Sequence, residues 1–190
     1  MTVLGISGAI RRPSRTTRLV ELIMEAIESQ LGVRTGRLDL VDAAPILFRA
    51  LRVDQLDAQG RAIIQHVETA DVLVVGSPVY RASYTGALKH LFDLVDYRAL
   101  AGKKVILAVT GGTPMHGLII EHQLRPLLGF FGALTVPTGI YAVESDFTDY
   151  ALTNPAIRRR IERAVDELSE LLPSVRRSAD SPSHLLPAIA

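Results

Sequence analysis

The stretch Val3–Leu19, VLGISGAIRRPSRTTRL, decides how this chain is read. It opens as a short apolar strand from Val3 to Ile6, passes through a loop of small and basic residues, and continues as the start of a helix. Gly8 lets the backbone turn sharply. Ser7, Ser14, Thr16 and Thr17 supply hydroxyls, while Arg11, Arg12 and Arg15 supply positive charge. A loop at the carboxyl end of a first strand and the amino end of a first helix suits a phosphate. Backbone N–H groups and the positive end of the helix dipole both face it. GISGAI lacks the G-x-G-x-x-G spacing of a dinucleotide turn, and the chain has no G-K-[ST] P-loop. A capped helix start with solvated arginines is the other reading of the same residues.

Bulk composition narrows the class. At 190 residues with 48% hydrophobic content, the chain can bury the core of one α/β domain. A net charge of +1 and a pI of about 8.1 give no footprint for nucleic acid or a membrane surface. Tryptophan is absent and aromatics make up 5%, too few for a base-stacking platform. Without cysteine there is no disulfide, thiol nucleophile or thiolate metal site. The histidines are scattered, with no H-E-x-x-H spacing, so no metal is expected. The first strand begins at residue 2 or 3, leaving no room for a signal peptide. No apolar run approaches the roughly 18 residues of a membrane span, and a cytoplasmic protein is expected.

Working outward, apolar residues Leu19, Leu22, Ile23, Ala26, Ile27 and Leu31 recur at helical spacing before Gly32. Val33–Leu40 reads as a second, more polar strand, and residues 41–56, with Pro45, as a long connection. Asp57 caps a helix reaching Ala70. Asp71–Gly76 (DVLVVG) is a continuous apolar run, the mark of a central parallel strand covered on both faces. Ser77 and Pro78 end it, and Thr85 caps a helix over Ala87–Val95. Lys104–Thr110 (KVILAVT) is another buried strand, ending in Gly111, Gly112, Thr113 and Pro114. A long helix is expected over Met115–Phe131, a fifth strand over Thr135–Ala142, and a last helix over Asn154–Leu172. Arg158–Arg160 reads as a solvated stripe on that helix. The β-α alternation predicts one α/β domain over residues 1–172, a doubly wound five-stranded parallel sheet of order 2-1-3-4-5 with helices on both faces. Residues 173–190, rich in Ser, Pro and Ala, are expected to be a flexible C-terminal tail or an arm on a partner subunit.

In such a sheet the ligand lies beyond the carboxyl ends of the strands, where strand order reverses. Three loops end strands with unusual chemistry: Ser7–Thr17, Pro78–Tyr84 and Gly111–His116. In order 2-1-3-4-5 they follow neighbouring strands and line one crevice. The first suits a phosphate. The second, PVYRASY, offers an aromatic, an arginine and backbone amides; the third, TGGTPMH, lets the backbone approach a planar ring because its glycines carry no side chain. Together they describe a site for a phosphorylated, planar heterocycle.

GAIRRPSRTTRL, GSPVYRASYTGALKHLFDLV and AVTGGTPMHGLIIEHQLRPLLGFFGA resemble the NAD(P)H-dependent FMN reductase family. Within it the chain resembles the flavin reductases that supply reduced FMN to alkanesulfonate and methanesulfonate monooxygenases. The likeness spans residues 2–172 and implies a flavodoxin-like fold, FMN, and NADPH or NADH. By position, it implies that Ser14, Arg15 and Thr16, with Arg11 and Thr17, hold the FMN phosphate. Pro78, Val79, Tyr80 and Arg81 would border the isoalloxazine and ribityl chain. Thr110, Gly111, Gly112 and Thr113 would cover the pyrimidine end, with His116 nearby. The chain departs from the family at Gly8-Ala9, where Gly-Ser is usual, so one hydroxyl is missing unless Ser7 replaces it. Some sulfonate-associated relatives carry a π-bulge at a tetramer interface beside the flavin, and His122 stands at the position resembling it. A solvent-facing histidine is the alternative. The family usually forms dimers or tetramers, so a homotetramer, or failing that a homodimer, is expected, with an FMNH2-dependent monooxygenase as partner.

Hydride transfer between nicotinamide and flavin needs alignment more than acid–base help, so no catalytic base is expected. Arg12, Arg49 and Arg81 are the candidates for recognising a 2′-phosphate. A quinone, azo-dye or chromate reductase with tightly held FMN would use the same loops. A non-enzymatic flavodoxin-type carrier fits less well, since such carriers are strongly acidic and this chain is nearly neutral.

Overall fold

Continuous runs of β-branched and aliphatic residues form the centre of the computed structural model, which describes residues 1–172. Strand β1 (Val3–Ser7) pairs in parallel with β2 (Thr35–Asp39) on one side and β3 (Val72–Pro78) on the other; β3 pairs in turn with β4 (Lys104–Gly111). The next position is shared by two short strands, β5 (Leu134–Thr135) and β6 (Ile140–Val143), both parallel to β4. The sheet order is β2-β1-β3-β4-β5, with β6 beside β4. This is the expected doubly wound, flavodoxin-like α/β topology.

Alternate residues of the strands feed two cores. Leu4, Ile6, Leu73, Val75, Leu107 and Val109 pack under helices α2 (Leu40–Leu47), α3 (Ala58–Thr69) and α4 (Gly86–Leu94). Val3, Val72, Val74, Ile106 and Ala108 pack under α1 (Arg15–Leu31) and the last helix, α6 (Pro155–Leu171). Helix α1 packs directly on the sheet at Gly76. A Cβ on Gly76 would fall 2.3 Å from Val20, so only glycine admits the helix there.

Three expectations are corrected. Residues 41–56 are not an open connection: α2 forms because Leu40, Ala43, Ala44 and Leu47 are buried at helical spacing, and Pro45 sits inside it. The fifth strand is not continuous over Thr135–Ala142. Pro137 cannot donate to a ladder, and the carbonyls of Val136 and Pro137 instead accept from the Arg125 guanidinium at 2.8 and 3.1 Å. Thr138 donates its amide to Glu167 at 2.7 Å. Nor is Met115–Phe131 one regular helix. A 3-10 turn (Pro114–His116) precedes a π segment (Ile120–Leu124) and a short α5 (Arg125–Phe130). Pro126 has no amide to give the carbonyl four residues back, and the Arg125 amide reaches Ile120, the five-residue step of a π turn.

A small antiparallel hairpin, β7 (Phe147–Thr148) and β8 (Ala151–Leu152), precedes α6. The arginine stripe is exposed at all three residues, as expected, and Arg158 donates to the Leu152 carbonyl at 2.6 Å and Arg160 to that of Gly139 at 2.5 Å, so two of the three also tie loops down. No helix among the described residues is long and apolar enough to cross a membrane. The expected tail, 173–190, lies outside the described residues.

Candidate functional site

The three loops singled out in the sequence do meet, and hydrogen bonds tie each to the others. The Gly8 amide donates to the Gly76 carbonyl at 2.7 Å, and the Thr85 hydroxyl to the Gly8 carbonyl at 2.8 Å, joining the loop after β1 to the one after β3. The Val79 amide donates to the Thr110 carbonyl at 2.7 Å, joining the loops after β3 and β4. The hydroxyls of Thr16 and Thr110 lie 2.6 Å apart in the core, joining α1 to the end of β4. Buried hydroxyl pairs of this kind fix loop positions because breaking one strands a desolvated polar group.

In the first loop Ser14 is the N-cap of α1, its Oγ accepting the Thr17 amide at 3.2 Å. The Thr17 hydroxyl is 2.8 Å from Ser7, and Thr16 is buried. These two threonines therefore brace the loop with their side chains. The Arg15 and Thr16 amides belong to the first helical turn, which has no intrahelical acceptors for them, and they face outward along the helix dipole. Arg11 is exposed. Arg15 pairs with Glu144 at 2.6 Å, and its Nε is buried without a hydrogen-bond partner among the described residues. Arg12 turns away: it grips Asp42 at 2.6 and 2.7 Å and Asp39 at 2.9 Å, a pairing that pushes the Arg12 pKa up and the Asp42 pKa down.

In the second loop Tyr80 and Ser83 exchange backbone bonds at 2.7 and 3.1 Å around a tight turn. Its central residues, Arg81 and Ala82, have φ of 52° and 63°. Left-handed conformations at two non-glycine residues cost about 1–2 kcal/mol each, so the surroundings must hold the turn. Gln123, in the π segment, does so: its Nε2 donates to the Ala82 carbonyl at 3.0 Å, and its Oε1 accepts the Ser83 hydroxyl. Tyr80 is half exposed, with the Arg81 guanidinium 5.9 Å from its ring centroid. A groove of about 710 Å³ runs beside the turn, lined by Ile10, Phe48, Tyr80, Thr85 and His90.

The third loop owes its shape to Tyr141 on β6. Its phenol donates to the Thr113 carbonyl at 2.6 Å, and a Cβ on Gly111 would fall 2.0 Å from that oxygen. Burial pushes the Tyr141 phenol above its ordinary pKa. A Cβ on Gly112 would meet nothing within 4 Å, so that glycine presents bare backbone to open space. Thr113, His116 and His122 are exposed. His122 does lie in the π segment, as its likeness to a bulge position implied. Tyr141, Gln123 and Glu144 escaped the sequence reading, because each reaches the site across a long sequence separation. Among the described residues no cluster of histidine and carboxylate side chains could hold a metal ion.

An amide-lined helix start, hydroxyls, arginine and bare glycine backbone are donors that could hold a phosphate and a flat polar ring. Residues 1–148 match the NADPH-dependent FMN reductase family. The chain belongs to that family. It is 43% identical over 171 residues to the NADH-dependent FMN reductase SfnF of Pseudomonas fluorescens, covering 90% of this chain and 91% of that one. It is 43% identical over 169 residues to an FMN reductase (NADPH) of Pseudomonas aeruginosa, covering 89% and 91%. Its fold matches the solved structure of an oxidoreductase from Corynebacterium diphtheriae with a TM-score of 0.81 and 33% identity, over 90% of this chain and 95% of that one. The chain is thus an NAD(P)H-dependent oxidoreductase that works with FMN.

Proposed function

We propose that this flavin reductase delivers reduced FMN to a partner monooxygenase, in the use of organosulfur compounds, and works in the cytoplasm as a homotetramer. The observation that carries the site is the mutual bracing of the loops after β1, β3 and β4 at one edge of the sheet. Ser14, Arg11, Arg15 and the first-turn amides of α1 hold the FMN phosphate, with Thr16 and Thr17 bracing them. Pro78, Val79, Tyr80 and Arg81 border the ring and ribityl chain. Thr110 to Thr113 cover its pyrimidine end, with His116 alongside.

Bound FMN supplies the acceptor for the nicotinamide hydride. The protein's part is alignment and dipoles. Alignment of two reactants lowers a barrier by up to roughly 7–11 kcal/mol in favourable cases. With FMN bound, backbone amides of the Gly111–Gly112 stretch would stabilise the end of the ring where negative charge develops. No side chain is assigned a proton transfer. Of the arginines suited to a 2′-phosphate, Arg12 is engaged by Asp39 and Asp42, and Arg49 lies 3.8 Å from Asp57. Arg81, whose neighbour is the Tyr80 ring, is therefore the residue assigned to NADPH.

Self-association is supported by Met115, Leu118 and Phe130, which are 87%, 65% and 72% exposed around the π segment. Large apolar side chains so exposed call for a cover. The decisive assay is oxidation of NADH and NADPH by flavin-free protein titrated with FMN and with riboflavin. Saturable turnover that requires free FMN, with flavin lost on desalting, is the expected result. Tightly retained flavin with turnover only on added quinone would overturn the delivery role. Light scattering that returned a monomer would overturn the oligomer.

A further inference from the structure

Glu144 stands beside the first loop of the site, and the chemistry assigned above makes no use of it. It opens a 3-10 turn directly after Val143, the register partner of Gly111 at the end of β4. Its carboxylate thus lies at the same edge of the sheet as the three loops, 2.6 Å from a terminal nitrogen of Arg15. The turn is anchored. Buried Asp146 accepts the Val143 amide at 2.7 Å and the Asn154 side-chain amide at 2.6 Å. From the other side the Tyr150 ring approaches, its centroid 5.3 Å from the Arg15 guanidinium. Arg15 is therefore held in place by groups outside the first loop, with its buried Nε still without a partner among the described residues.

We propose that Glu144 is a counter-charge that weakens the grip of Arg15 on the FMN phosphate, so that the flavin leaves instead of being retained. The proposal rests on residues 8–17 being the phosphate site. A guanidinium presents its donors in a rigid fork, so Arg15 keeps one terminal nitrogen on Glu144 and has the other left for a ligand. A carboxylate in direct contact with the guanidinium cancels much of the charge that a phosphate would feel. With the Glu144 side chain 65% exposed, solvent screens the effect. It should be worth about fivefold in affinity, the upper range for a partly exposed ion pair.

The test is equilibrium quenching of flavin fluorescence, with FMN and riboflavin, on wild type, Glu144→Gln and Glu144→Ala, each also in an Arg15→Met background. The expected result is an FMN Kd about fivefold lower in both Glu144 variants. The riboflavin Kd should not change, and neither substitution should matter once Arg15 is gone. An FMN Kd that is unchanged or higher, with FMN still preferred over riboflavin, would overturn the counter-charge and leave the phosphate site standing. Equal tightening toward both flavins would overturn it too, since riboflavin carries no phosphate. Equal affinity of the wild type for FMN and riboflavin would instead remove the phosphate site, and the counter-charge with it.

Discussion

Val3–Leu31 and Gly112–Val143 each run out of or into a central strand, yet they are built by different rules. In the first, β1 and α1 are regular from end to end, and the buried residues Leu19, Val20, Ile23 and Ile27 fall on one helical stripe. In the second, regularity fails three times, at a 3-10 turn, a π segment and a split strand. The first segment positions its loop by burying apolar area. The second positions residues such as Gln123 and Tyr141 by local departures from a repeating backbone. Stability and site geometry should therefore respond to different substitutions.

The largest effect belongs to the regular segment. Ile23→Ala removes a fully buried side chain between α1 and the sheet and should lower unfolding free energy by about 2–5 kcal/mol in denaturant titrations. The FMN Kd, measured under native conditions, should stay within about twofold, because the loop remains tied at Gly8 and Thr16. A large loss of flavin affinity would show that the helix packing itself tunes the site.

Next comes the seam between the two segments. Thr16→Val keeps the shape of the side chain but leaves the buried Thr110 hydroxyl without its 2.6 Å partner. A stranded hydroxyl costs about 1–3 kcal/mol, and here both stability and FMN affinity should fall. If only stability fell, α1 and β4 would be coupled for folding alone.

Gln123→Ala should invert the pattern of Ile23→Ala. It removes two hydrogen bonds at a partly exposed position, so stability should drop by only about 1 kcal/mol. The 80–83 turn, whose left-handed residues then lose their brace, should relax. Michaelis constants for flavin and nicotinamide should rise several-fold, with Gln123→Glu, which keeps the acceptor, intermediate. Unchanged Michaelis constants would mean that the turn holds itself.

The same contrast explains what the sequence could tell. Apolar runs such as DVLVVG and KVILAVT announced β3 and β4, helical spacing announced α1, and the Thr85 cap announced α4. Gly, Pro and hydroxyl punctuation marked the three loops, and strand order then brought them together. Elements whose cause lies elsewhere in the chain were not legible. The split of the fifth strand depends on Arg125 reaching Thr135, Val136 and Pro137. Helix α2 was hidden by a proline that its buried stripe overrides. Gln123, Tyr141 and Glu144 look ordinary in their own neighbourhoods, and only the fold carries them to the site.

Tyr141 gives the smallest and most discriminating effect. Its phenol holds the Thr113 carbonyl at 2.6 Å, and burial raises its pKa in the folded protein above the ordinary value of 10. Because the folded value is the higher one, the neutral phenol stabilises the fold fully below pH 10. That contribution is lost as pH rises through the folded value, the unfolded chain shedding its proton first. Tyr141→Phe should thus be less stable than wild type near pH 7 by about 1 kcal/mol. The gap should narrow steadily above pH 10, with the remaining tyrosines cancelling between the two proteins. A gap that stayed constant through that range would mean that the phenol is not buried in solution, and no gap at pH 7 would mean that it does not hold Thr113. The same substitution clears the oxygen that a Cβ on Gly111 would strike at 2.0 Å. Gly111→Ala should therefore cost less in the Tyr141→Phe background than alone, and additive costs would show that another neighbour keeps position 111 glycine.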